Sequence, residues 1–141
     1  MNWIYWALLS AFFAGLTAIL AKIGVADVNS NLATAIRTSV ILVFTWGIAL
    51  AVVPAHAISA VSKRAWLFLV LSGLATGLSW LCYFRALQLG EASRVAPVDK
   101  LSVVFAIVLA GVVLKEKLGW QQGVGGALIV AGAIILAWKP S

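Results

Sequence analysis

Val95-Ala96-Pro97-Val98-Asp99-Lys100, then Leu101 to Leu114 without a charge, then Lys115-Glu116-Lys117: this stretch decides the fold. It reads as a membrane-spanning helix that opens at a proline and carries an acid beside a base about one turn inside. A charged side chain at that depth is costly, so such residues mark a pathway, a coupling site or a fixed ion pair. The other segments read as the walls around it.

Composition agrees. Of 141 residues, 64% are hydrophobic and 10% charged, with a mean hydropathy of +1.10. The long uncharged runs are 1–21, 38–62, 65–84, 101–114 and 118–138. A bilayer core of ~30 Å needs about 20 helical residues. The run 101–114 meets that length only if its helix includes 95–100. The sequence therefore predicts an all-α membrane protein, one domain over 1–141, with five transmembrane helices near 3–23, 31–53, 65–88, 96–114 and 118–138. The formal net charge of +6 does not point to nucleic acid, because Lys and Arg sit near helix ends, where they anchor to headgroups. Cys82 is the single cysteine, which excludes an intrachain disulfide and a cysteine-based metal site. No cofactor or metal is expected. The start lacks the basic region of a signal peptide, and the first helix is expected to remain.

In the first span, Ala7, Ala11 and Gly15 repeat every four residues, as do Ala14, Ala18 and then Lys22. Small residues at that spacing let another helix approach closely. Lys22 either reaches for headgroups or enters a cavity. Asp27 to Asn31 is a polar turn whose Asn and Ser can cap the second span. Arg37 falls about 9 Å into that span at 1.5 Å per residue. It either returns to the interface or faces the bundle interior and binds an anion. The connection 54–64 contains His56, which reads as a solvated loop residue. In the third span, Gly73 and Gly77 form a G-x-x-x-G contact. Trp80 and Tyr83 either pack against lipid and helices or line a cavity.

Pro97 is placed in the first turn of the fourth span, where its missing N–H costs nothing. Asp99 and Lys100 follow. Adjacent helical residues point about 100° apart, so each is expected to find a partner elsewhere. Asp99 either pairs with Arg37 or Lys22 and fixes the bundle, or serves as a protonatable or substrate-contacting carboxylate. In the fifth span, Gly123, Ala127 and Ala131 form a small-residue ridge, and Gly125 and Gly132 share a second face. Packing or a dimer contact is the expected use.

Phe84-Arg85-Ala86-Leu87-Gln88-Leu89-Gly90, Ala92-Ser93-Arg94-Val95-Ala96-Pro97, Lys115-Glu116-Lys117-Leu118 and the glycine-rich last span resemble one EamA domain of the drug/metabolite transporter superfamily. The resemblance covers essentially the whole chain and is most similar to the five-helix bacterial and archaeal transporters. It implies export or exchange of solutes such as amino acids, metabolites or drugs, across the inner membrane. It also implies two inverted five-helix repeats around a central cavity. The family usually carries Gly where Lys115 stands, so Glu116 is read only as a turn residue.

One five-helix chain reproduces that arrangement only by pairing antiparallel, inserted both ways. The loop charges fit weak bias: Lys63, Arg64, Lys115 and Lys117 on one side, against Lys22, Arg85, Arg94 and Lys139 on the other, with Arg37 and Lys100 further in. The leading reading is thus a secondary transporter acting as an antiparallel homodimer, with Asp99, Lys100 and Arg37 meeting near a cavity walled by Trp80 and Tyr83. The absence of G-x-x-x-x-G-K-[ST] argues against direct ATP use. The alternative is a non-transporting subunit that pairs with another five-helix chain. An intramembrane enzyme is a poor third, with a single acid inside a span and no cluster of metal ligands.

Overall fold

The computed structural model describes residues 2–138, with the side chains of Ala55 and Ser59 left aside, so Lys139 and its loop charge lie outside the described residues. The order of helices is α1 Trp3–Gly24, α2 Ser30–Val52, α3 Ala55–Ser59, α4 Lys63–Leu89, α5 Ala92–Asp99, α6 Ser102–Val113 and α7 Trp120–Ala137. Five stretches are long and apolar enough to cross a membrane: α1, α2, α4, α5 with α6, and α7. Their bulky side chains are mostly exposed in the chain, from Trp3 and Phe12 to Phe105 and Trp138. Lipid is as apolar as these side chains, so burying them is not what holds such helices together.

The chain divides into two compact units, one of residues 1–22 and 89–141, the other of 23–88. In the second unit the turn into α2 is closed as its Asn and Ser content predicts. The Asn29 side chain accepts from the N–H of Asn31 at 2.9 Å. Gln88, near the end of α4, donates to the carbonyls of Val28 at 2.7 Å and Val25 at 3.3 Å, and accepts from Arg85 at 3.0 Å. These bonds fasten the α1–α2 link to the end of α4 and satisfy carbonyls that would otherwise be orphaned. Val25, Ser30, Thr34, Phe84 and Leu87 are all buried around this end. Residues 55–59, read from sequence as loop, form the one-turn helix α3 instead, started by Pro54 with its fixed φ of −61°.

In the first unit α7 packs on α5 and α6. Gly126 and Ala133 are buried, and a Cβ on Gly126 would meet Ile107 Cδ1 at 4.0 Å. The ridge of Gly123, Ala127 and Ala131 is exposed, and so are Ala7, Ala11 and Gly15. No neighbour lies within 4 Å of a Cβ built on Gly15, Gly73, Gly77 or Gly123. The small-residue rows thus split into rows packed inside the chain and rows left open.

The fourth span differs from expectation in two ways. It begins at Ala92, a full turn before Pro97, so the proline is inside α5. Having no N–H, Pro97 withholds the bond that Ser93 would receive in an unbroken helix. The bonds that follow tighten to three-residue steps: Lys100 to Pro97 at 3.1 Å, Leu101 to Val98 at 3.0 Å and Val103 to Lys100 at 3.0 Å. The span therefore breaks at Lys100 and Leu101 and resumes as α6.

Its far end turns on Lys115, whose φ of 56° lies in the left-handed region. The N–H of Glu116 then reaches back to the Ala110 carbonyl at 3.1 Å. Leu118 folds onto Gly111, where an added Cβ would come within 2.7 Å of Leu118 Cδ1. A left-handed cap favours glycine, which gives a physical reason for the family's usual Gly at this position. Lys115 bears that strain here, and Glu116 contributes its backbone, in keeping with a turn role.

Candidate functional site

Among the described residues, two charged places lie about two turns inside a span. The first lies in the unit of residues 23–88. Arg37 is seven residues beyond the start of α2, about 10 Å along the axis at 1.5 Å per residue. Its guanidinium carbon sits over the Trp80 ring, 4.4 Å from the centroid, and 5.5 Å from that of Phe84. Trp80 lies nine residues before the end of α4 and Phe84 five, about 13 Å and 7 Å from that end. The α2 start and the α4 end are tied together through Gln88, so these depths are comparable. A guanidinium returning to the interface would favour the ring nearer the helix end. Arg37 instead lies closer to Trp80, the deeper ring.

The Tyr83 ring packs edge-on to Phe84, with centroids 6.5 Å apart. The sequence reading named Asp99, Lys100, Arg37, Trp80 and Tyr83; within this unit Arg37 lies on Trp80, and Tyr83 reaches it through Phe84. It missed Phe84, although the spacing was available: Trp80 and Phe84 are i and i+4 on one helix face. The hydroxyls of Thr34 and Thr38 donate to their own helix, at 2.8 Å to the carbonyls of Ser30 and Thr34. Among the described residues, no oxygen is hydrogen-bonded to the guanidinium and no carboxylate pairs with it. Aromatic rings attract the charge, at about 0.5–2 kcal/mol, against about 2.5–3.5 kcal/mol for placing an arginine at the centre of a span. They satisfy none of its five N–H donors as an oxygen would.

The second place lies in the other unit. Lys100 Nζ is 3.6 Å from Asp99 Oδ2, with side-chain exposures of 55% and 36%. This corrects the expectation that two adjacent residues cannot pair. That expectation compared only the directions in which the side chains leave the backbone. The long, flexible lysine stem lets its head curl back. Asp99 thus has its sequence neighbour as a partner. Lys22 has another task within this unit, donating to the Gly90 carbonyl at 2.8 Å. Arg94 pairs with Glu91 at 3.1 Å. Among the described residues there is no cluster of three or more possible metal ligands.

The described residues thus present five apolar spans, an arginine held on aromatic rings in one unit and a broken helix carrying an acid in the other. Residues 1–138 match the EamA-like transporter family. The chain belongs to that family. It is also 54% identical, over 136 residues and 96% of each chain, to a Sinorhizobium sp. protein named "Uncharacterized transporter in cobO 3'region". No solved structure matches the chain. As an EamA-like protein it is a multi-pass membrane protein of a transporter family, and the charged places described above belong to that context.

Proposed function

We propose that this EamA-like chain is a secondary transporter of small organic solutes, an exporter or exchanger of the inner membrane, working as an antiparallel homodimer. The observation that carries the reading is Arg37, about two turns inside a span with its guanidinium over the Trp80 ring. A charge kept at that depth is retained for a task. The break after Asp99 adds support, because discontinuous helices commonly form substrate and coupling-ion sites in secondary transporters. Asp99 is the coupling carboxylate in this reading: taking up a proton would free Lys100 from it. An odd number of spans reverses a second copy only if the chain inserts both ways. The near-balanced loop charges and the open ridges at Gly73, Gly77, Gly123, Ala127 and Ala131 fit such pairing.

The test has two parts. Reporters active only inside or only outside the cell, fused to the C-terminus, are both expected to give signal. Signal from one alone would exclude dual insertion. The purified chain in proteoliposomes is expected to exchange labelled solute across the bilayer without another subunit. A need for a second five-helix chain would favour the subunit reading instead.

A further inference from the structure

We infer that Arg37, clasped by Trp80 and Phe84, is an oxyanion anchor that takes the carboxylate of an organic solute. The inference names a substrate class for the transporter reading and rests on it.

The guanidinium has rings at 4.4 and 5.5 Å. Among the described residues it has no carboxylate partner and no oxygen bonded to its N–H groups. The hydroxyls of Thr38, its neighbour in sequence, and of Thr34, three residues earlier, are committed to their own helix. A planar fork of donors matches a carboxylate in a bidentate manner. The rings hold the charge without using the donors, so the fork is oriented before a ligand arrives and little further ordering is required. Half-burial leaves Arg37 reachable.

Charge selects the ligand. One guanidinium balances one carboxylate. A phosphate dianion would bring a second negative charge, and Arg85, the next residue after Phe84, is engaged with Gln88. The adjoining Trp80, Tyr83 and Phe84 offer apolar surface to the solute's body. A lipid phosphodiester carries the same single charge and shares the chemistry, so the experiment separates the two sources.

The full chain, purified in phosphatidylcholine vesicles, would be treated with the arginine reagent phenylglyoxal, and labelling read at each arginine by mass spectrometry. The probes are benzoate, phenylacetate and hexanoate, each beside its methyl ester. The acids are expected to slow labelling of Arg37 selectively, leaving Arg64 and Arg94 unchanged, while the esters do nothing. Binding of the same acids, read by tryptophan fluorescence, is expected to weaken about 10- to 100-fold in Arg37→Gln, the scale of a lost charge-assisted hydrogen bond, and less in Arg37→Lys. Equal protection by acids and esters, or protection by none of the acids, would overturn the assignment. So would slowed labelling that appears on adding phosphatidylglycerol and is indifferent to the acids, which would make lipid phosphate the occupant. If Arg37→Gln fails to fold, labelling of the unaltered chain decides. Flux without preference for acids would sink the anchor and leave the transporter standing. Acid protection without flux would do the reverse.

Discussion

Arg37 and Asp99 each stand seven residues beyond the start of their helix, yet the chain treats them in opposite ways. Asp99 is neutralised by its own neighbour, Lys100, at 3.6 Å, at a point where the helix is already broken. Arg37 sits in an unbroken helix, and the contacts it makes are aromatic. The Asp99–Lys100 pair carries no net charge into the bilayer and is complete without a ligand. Arg37 has aromatic rings about it and, among the described residues, no counter-charge. The comparison teaches that depth alone does not single out a candidate binding group; depth together with a missing counter-charge does.

The largest expected effect breaks the comparison directly. Arg37→Gln should lower affinity for organic acids by about 10- to 100-fold, whereas Asp99→Asn should leave equilibrium binding within a few-fold and abolish proton-driven accumulation. Binding titrations and uptake under an imposed pH gradient check both halves. Equal binding losses in the two variants would end the distinction.

Next come the two kinds of glycine in α7. Gly126→Leu should destabilise the chain by about 1–3 kcal/mol through overpacking, because Gly126 is buried against Ile107. Gly123→Leu, on the open ridge, should leave the chain folded and weaken its self-association. Thermal unfolding and crosslinking in membranes read the two outcomes separately.

A smaller effect sharpens the account of Arg37. Trp80→Ala should cost about 0.5–2 kcal/mol of acid binding by releasing the guanidinium toward the interface, and Trp80→Phe should recover part of it. Recovery by Phe and failure by Leu would assign the effect to the ring's attraction for charge rather than to volume. The last prediction lies at the far end of the broken span. Lys115→Gly should stabilise the chain by about 1 kcal/mol, relieving the left-handed conformation at φ 56°, and thermal unfolding would read the shift.

Much of this was legible in the residues. Uncharged runs locate the five spans because a bilayer leaves a helix no alternative partner for its backbone. Asn29 follows from polar side chains next to a helix start. The turn at Lys115 was marked in advance by its departure from the family's glycine. Two errors share one cause. Placing Pro97 at a helix start, and denying Asp99 its neighbour, both treated the fourth span as a regular helix. Neither local rule knows that Ala92 to Ala96 also form helix, or that a lysine stem can turn back along it.

By itself, the sequence determined the membrane class, the number of spans, the family and the rough depth of each charge, because these depend on composition and on distance along one helix. Tertiary structure decided which partner each charge received. Arg37 and Trp80 are 43 positions apart, and no periodicity links them; they meet because Gln88 fastens the end of α4 to the α1–α2 link. It also decided which small-residue rows are filled and which stay open. Those choices depend on how each helix is rotated about its axis, and in lipid the hydrophobic pattern that fixes rotation in water is nearly uniform around the helix.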